Sequence, residues 1–178
     1  MLTYYLDKMN TKRNNWKYTP PQLTLLVTLR VIIGWHFLFE GLTKLINPDW
    51  SSYSFLLDSK WIFSGVFYAM AQNPGVLKVI DVLNVWGLII IGFALIVGFF
   101  SRPAIISGII LLGLYYLSHP PLVGIRYEMP TEGKYLLVNK NLIELFALAV
   151  LYVFPTSRII GLDRFLFGDP NIQKPNRT

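Results

Sequence analysis

The sequence predicts an all-α fold: a polytopic membrane four-helix bundle with short interfacial helices. Three observations carry that prediction. Hydrophobic residues make up 53% of the 178-residue chain and charged residues only 15%, where a soluble domain has about a quarter of its residues charged. The apolar residues gather into runs that approach the ~20 residues a spanning helix needs. Turn and breaker signals stand between those runs: Asn47-Pro48-Asp49, Ser101-Arg102-Pro103 and His119-Pro120-Pro121, none of which a helix interior tolerates. A chain of this length has room for about four or five spans and their loops, without a separate soluble catalytic domain. Any chemistry therefore lies within the bundle or on a partner.

Residues 1–22 are polar and basic, with Lys8, Lys12, Arg13 and Lys17, and they close on Pro20-Pro21, a pair suited to opening a helix. Tyr4, Tyr5, Leu6, Trp16 and Tyr18 fit a segment resting at the membrane surface, where aromatic rings are favoured. No short apolar run near the start is followed by an Ala-x-Ala pattern, so the first apolar run is expected to remain as a span. That run, 23–46, forms the first span. An outer-face insertion at about 47–82 follows. Its apolar patch Trp61–Met70 is too short to cross a bilayer, and Pro74-Gly75 reads as a break, so one or two short surface helices are expected.

The second span is expected at about Leu83 to Phe100, with Asp81 and Asn84 at its mouth and Gly87, Gly92 and Gly98 inside, small residues that let helices approach closely in lipid. Ser101-Arg102-Pro103 is a tight turn into a third span, about Ala104–Ser118. Residues 122–139 form an exposed loop. The fourth span, about Asn141–Phe154, is short for a crossing. Ile159–Gly168 suits a short interfacial helix, and a polar tail begins at Asp169. The chain thus divides into an N-terminal segment 1–22, a membrane bundle 23–154 and an interfacial helix with tail, 155–178.

Nine basic residues (Lys8, Lys12, Arg13, Lys17, Arg102, Arg158, Arg164, Lys174 and Arg177) fall on one side, against five (Lys60, Lys78, Arg126, Lys134 and Lys140) on the other. Because cytoplasmic loops are enriched in Lys and Arg, both termini are expected in the cytoplasm, with the protein in a bacterial inner (plasma) membrane. The net charge of +6 is explained by this placement near span ends, which leaves no reason to invoke nucleic acid. The partners implied are the lipid bilayer and other protein subunits.

The first span carries Arg30, His36, Glu40 and Lys44. With His36 at zero on a helical wheel, Glu40 lies near 40°, Lys44 near 80° and Arg30 near 120°, all on about a third of the circumference. An ionisable side chain inside a span is costly unless it faces protein or water, so the other spans are expected to cover this stripe. Asp81 and Asn84, His119, and Lys140, Asn141 and Glu144 all fall at outer span ends. His36, Glu40 and Lys44 are therefore expected to converge with these groups at one level in the outer half, while Arg30 lies deeper, toward the inner half, where lipid phosphate or backbone carbonyls are alternative partners for it. His36 and Glu40 are the candidate catalytic residues, as proton carriers; Arg30, Lys44, Asn84, His119, Asn141 and Glu144 are candidate ligand-binding residues, with no metal site.

Each has a plainer reading. Lys44 near a helix end snorkels to headgroups, Asp81, Asn84 and Lys140 are ordinary helix-terminus residues, His119 caps an end, and the i, i+4 pairs His36–Glu40 and Glu40–Lys44 satisfy each other. Taken together these readings make the cluster a structural polar clamp. Glu40 and Glu144 resist dismissal, since a carboxylate within a span is paired, protonated or lining a cavity.

Other chemistry is limited by what is absent. With no cysteine there is no thiol-disulfide mechanism, thiolate metal site or Cys-ligated iron–sulfur cluster in this chain. Two histidines fall short of the pairs that several b-type haems need, although a single haem is compatible with that ligand count, and no Gly-rich phosphate loop is present. No cofactor is identified by the residues alone; the aromatic content, 15%, would suit a pocket for a flat apolar ligand such as a quinone.

The string Leu29-Arg30-Val-Ile-Ile-Gly34-Trp-His-Phe-Leu38-Phe-Glu-Gly41-Leu-Thr-Lys44-Leu45 resembles the first span of the DoxX/DoxD family, with an Arg near the start, a Gly, and Gly-x-x-Lys at the end. Val85-Trp86-Gly87-Leu88 through Gly92, Gly98 and Ser101-Arg102 is similar to the family's second span and its turn, and Gly161-Leu162-Asp163-Arg164 looks like the DoxD-type ending. The resemblance implies a four-helix membrane bundle and a link to the membrane subunit of thiosulfate:quinone oxidoreductase and to membrane oxidoreductase complexes. His36 and Glu40 are not assigned to the shared pattern.

Two functions follow from these readings. In the first, the chain is a membrane subunit of an oxidoreductase complex that binds a quinone or similar apolar ligand in an outer-half polar pocket, with His36 or Glu40 exchanging protons. In the second, it is a non-catalytic scaffold that binds lipid or a partner subunit and is held together by its polar clamp.

Overall fold

A computed structural model of the chain describes residues 18–128 and 136–167. The basic segment up to Lys17, the loop residues 129–135 and the tail from Gly168 lie outside the described residues, and with them the expectations placed on the N-terminal segment, on that part of the 122–139 loop and on the tail.

Among the described residues seven α-helices follow in order: α1 Pro20–Ile46, α2 Tyr53–Leu57, α3 Ser64–Gln72, α4 Pro74–Val97, α5 Ser101–Ser118, α6 Lys140–Val153 and α7 Asp163–Phe167, with one 3₁₀ turn at Thr156–Arg158. The fold is all-α, and α1, α4, α5 and α6 form the bundle. Three of them, α1, α4 and α5, are long and apolar enough to cross a membrane. At 14 residues, α6 spans only ~21 Å, against a hydrocarbon core of ~30 Å.

Local chemistry places the helix starts. Pro20 occupies the first turn of α1, and the Thr19 N–H donates to Gln22 Oε1 at 3.0 Å, so an otherwise orphaned group at the helix start is satisfied. The start of α4 corrects the sequence reading: the second long helix begins at Pro74, well before Leu83. Pro74-Gly75 is an opening and not a break, because Pro tolerates the first helical position and Asn73 Oδ1 accepts from the Gly75 and Val76 N–H groups at 3.1 and 3.2 Å. Asp81 and Asn84 accordingly lie two to three turns inside α4. The helix ends at Val97, short of Phe100, on Gly98 in the left-handed region at φ 71°, a backbone that glycine adopts without a Cβ penalty.

Helix α1 packs most closely on α4. A Cβ at Gly34 would lie 2.9 Å from the Gly92 carbonyl oxygen, and one at Gly41 2.9 Å from the Ile89 amide nitrogen, so the two backbones approach as only small residues allow. Ile33 and Phe37 of α1, Leu88, Ile91 and Leu95 of α4, Ile105 and Leu112 of α5 and Leu148 and Leu151 of α6 form one buried core. A smaller cluster of Leu56, Phe67 and Ala71, backed by Leu77 and Ile80, seats the short helices α2 and α3 on the protruding start of α4. Around the outside, Leu25, Ile32, Trp35, Phe39, Ile90, Phe93, Ile110, Ile143 and Phe146 are exposed, the apolar girdle expected of helices solvated by lipid tails.

Candidate functional site

The polar residues of α1 meet the other helices at three heights: Arg30 lies apart and deeper, and the groups expected to share one outer level divide between His36 with Glu144 and Lys44 with Asn84. Arg30, His36 and Lys44 are separated by six and eight residues, so ~9 and ~12 Å of helix axis divide successive layers. Only neighbours at matching heights can reach each one; the layer nearest the start of α1 is termed inner and the one nearest its end outer.

The inner layer ties its charge down, although Arg30 Nε and Ser101 Oγ are buried without a hydrogen-bond partner among the described residues. Arg30, 3% exposed, donates from Nη1 to Thr156 Oγ1 at 3.3 Å and from Nη2 to the Ile160 carbonyl at 2.8 Å. The nearby carboxylate of Asp163 is buried and accepts from the Phe100 and Ser101 N–H groups at 2.7 and 3.0 Å, capping the start of α5. In return the Leu162 and Asp163 N–H groups donate to the carbonyls of Val97 and Gly98 at 3.2 and 2.7 Å. Arg30 was a candidate ligand residue; its guanidinium is used here to fasten the segment after α6 beneath α1 and α4.

The middle layer is formed by α1 and α6. His36 Nδ1 and Glu144 Oε1 are 2.8 Å apart and share one proton, either as Nδ1–H donating to a carboxylate or as a carboxylic acid donating to Nδ1. Glu144 is only 8% exposed. Its second oxygen, Oε2, and the other ring nitrogen of His36, Nε2, are buried without a hydrogen-bond partner among the described residues. Glu40, one turn outward on α1, brings Oε1 to 4.0 Å from that Nε2; the His36 and Glu40 side chains are 32% and 45% exposed. Trp35 and Phe39 stack beside them with ring centroids 6.4 Å apart. A buried carboxylate deprived of its partner costs several kcal/mol, which is why Glu144 is tolerable here only with His36 or a proton.

In the outer layer, Lys44 Nζ donates to Asn84 Oδ1 at 3.0 Å, and Asn84 Nδ2 donates to the Tyr115 hydroxyl at 2.6 Å. The ammonium also lies 5.0 Å from the Trp50 ring centroid and 5.6 Å from that of Tyr115, within the range of cation–π attraction. Above it sits the lid of α2 and α3. Asp81 accepts from Ser51 Oγ and the Ser52 N–H, both at 2.8 Å, and from the Ser52 hydroxyl, which pins the entrance of α2 to α4.

His119 belongs to this lid. It is stacked on Phe55 at 4.1 Å and tilted against Tyr127 at 4.6 Å, its Nδ1 is 3.0 Å from Ser118 Oγ, and its Nε2 is 3.7 Å from Asp58 Oδ2, longer than a hydrogen bond. Burial pushes the imidazole below its ordinary pKa, with the Asp58 carboxylate opposing the shift. Burial likewise pushes the Tyr127 hydroxyl up.

Of the candidate residues, His36, Glu40 and Glu144 come together, Lys44 and Asn84 form a second group, and Arg30 and His119 each stand in a layer of their own. Asn141, half-buried on the first turn of α6, makes no hydrogen bond to the middle cluster among the described residues. Sequence reasoning missed Tyr115, Asp58 and Asp163. Tyr115 lies three and four residues before Ser118 and His119, so the three share a face of α5, a signal that was available; Asp163 caps a helix more than 60 residues away, for which no local signal exists.

These helices and their lipid-facing surface define a membrane protein. A family model described as DoxX matches residues 25–120, more than half of the chain, and the protein belongs to the DoxX family. Membership places it among membrane proteins of the oxidoreductase-associated kind. No curated protein and no solved structure matches the chain.

Proposed function

We propose that this protein is the membrane subunit of an oxidoreductase complex and holds a quinone or a similar flat apolar ligand at the seam of α1 and α6, beside His36, Glu40 and Glu144. The observation that carries this reading is a carboxyl group, Glu144, buried in the membrane-embedded bundle with one oxygen on His36 and the other unpartnered. Unsatisfied buried polar atoms are costly and uncommon, and a ligand carbonyl fits the need: a protonated Glu144 or an Nε2–H of His36 has a hydrogen bond to donate. The stacked Trp35 and Phe39 offer an apolar flank. A quinone, when bound, supplies an acceptor of two electrons and two protons. Glu144 and His36 hold a proton at Oε1 or Nδ1, orient a donor toward the ligand, and keep it out of water; Glu40, half-exposed, exchanges protons with the surroundings.

The test is direct. Protein purified in mild detergent is extracted with organic solvent and the extract assayed for quinone. Wild type is expected to carry it and His36→Ala and Glu144→Gln to lose it while keeping their helical signal; wild type free of quinone, or variants that retain it fully, overturns the reading. The cytoplasmic placement of both termini in the bacterial inner membrane belongs to the same proposal, and reporter fusions at each end check it.

A second reading, a non-catalytic scaffold for a partner subunit, is favoured by the lid. Ile62, Phe63 and Val66 are exposed apolar residues on and just before α3, at the outer end where lipid tails do not explain them.

A further inference from the structure

We infer that Glu40, His36 and Glu144 form a proton relay in which the imidazole passes one proton between a half-exposed carboxyl group and a buried one. The two ring nitrogens of His36 face different carboxyl groups: Nδ1 is 2.8 Å from Glu144 Oε1 and Nε2 is 4.0 Å from Glu40 Oε1. The burial of the two acids differs sharply, 45% exposure of the Glu40 side chain against 9% for Glu144. A clamp would be served as well by two satisfied contacts. Here the inner contact is short, while the outer Nε2 is shut away from the surface with no hydrogen-bond partner among the described residues and the Glu40 carboxyl group 4.0 Å away, within one side-chain rotation or one bridging water.

The step balances without electrons. Glu40 gives its proton to Nε2 and becomes a carboxylate; Nδ1–H gives its own proton to Glu144 Oε1, which becomes a carboxylic acid; the imidazole ends neutral, with its hydrogen moved from Nδ1 to Nε2. Imidazole is suited to this because the two nitrogens are conjugated and its ordinary pKa lies near neutrality. Lys44, one turn outward of Glu40, sets its charge near that carboxyl group, as Tyr115 does its hydroxyl; the two are joined through Asn84 and bias the outer acid without carrying the proton themselves. The relay rests on the preceding reading only for the identity of the group that finally receives the proton from Glu144.

Nitrogen NMR of ¹⁵N-histidine-labelled protein in lipid nanodiscs tests it, with His36→Gln used to assign the two histidines of the chain. Wild type is expected to show His36 nitrogens averaged between tautomers at pH 6 to 8. Glu40→Gln is expected to slow that exchange tenfold or more and Glu40→Asp to restore much of it, whereas Glu144→Gln should lock one tautomer. A single fixed tautomer in wild type over this range, or exchange in Glu40→Gln at the wild-type rate, overturns the relay. Quinone extracted from the same samples separates the two proposals: exchange without quinone leaves the relay standing and removes the ligand reading, and quinone with a frozen tautomer does the reverse.

Discussion

The inner and middle layers of α1 present the same sequence feature, an ionisable residue within an apolar span, and resolve it in opposite ways. Arg30 is bonded to a side chain and a main-chain carbonyl, and the carboxylate that balances its charge is itself used to cap α5. His36 and Glu144 satisfy each other on one side only, leaving Oε2 and Nε2 buried and unpartnered. The difference separates a charge that builds the fold from one available for chemistry. What distinguishes them is the kind of atom left over once the bundle has closed: Arg30 keeps a guanidinium Nε–H that does not give up its proton, whereas an imidazole nitrogen and a carboxyl oxygen both exchange one.

The largest effect is expected where that closure is broken. Asp163→Ala removes both hydrogen bonds that cap the start of α5 and the carboxylate whose charge reaches Arg30, and should cost ~2–4 kcal/mol, at ~1–2 for each lost cap; thermal unfolding in detergent, followed by helical circular dichroism, measures it. A loss no greater than that of an exposed substitution would mean the inner layer is not a clasp. Next comes Gly92→Val. A side chain there would strike the backbones of Gly34 and Leu38 and push α1 off α4, at a cost of ~1–3 kcal/mol. The same melts read it, and quinone content should fall with the displaced His36.

The comparison is sharpest at Glu144→Gln. The amide keeps the shape and an acceptor for His36 Nδ1–H, so stability should change by less than ~1 kcal/mol while proton exchange at His36 stops. A loss as large as that of Asp163→Ala would make the middle layer a second clasp.

The smallest effect belongs to the lid. Burial depresses the His119 pKa, so this imidazole is neutral in the folded protein near pH 7. The unfolded group protonates first as pH drops below about 6.5, and the linked stability, present above that value, is lost as pH falls through the depressed folded value. Protection factors of the α2 amides, taken relative to the intrinsic exchange rate at each pH, should fall between pH 7 and pH 5, and His119→Gln should flatten that dependence. A fall confined to α1 or α6 would place the acid-sensitive group elsewhere.

Much of the fold was legible because membrane helices are written in long apolar runs and prolines, and both signals are local. Pro74 shows where local reading fails: a Pro-Gly pair is read as a breaker until Asn73 is seen to cap the two amides behind it. In the site, the helical wheel put His36 and Glu40 on one face because their spacing is i, i+4. It could not say that Arg30, on the same stripe, would be taken up by Thr156 and Ile160 from the segment after α6, or that His119 would lie under Phe55.

The sequence by itself determined that the chain is a bundle of apolar helices whose first member carries charges on one face, since hydrophobicity and helical periodicity depend only on neighbours a few residues away. The tertiary structure alone decided which of those charges meet. The heights at which α4 and α6 pass α1 are set by the close glycine packing of α1 on α4 and by the anchored inner clasp, and those heights place His36 against Glu144 with one oxygen to spare.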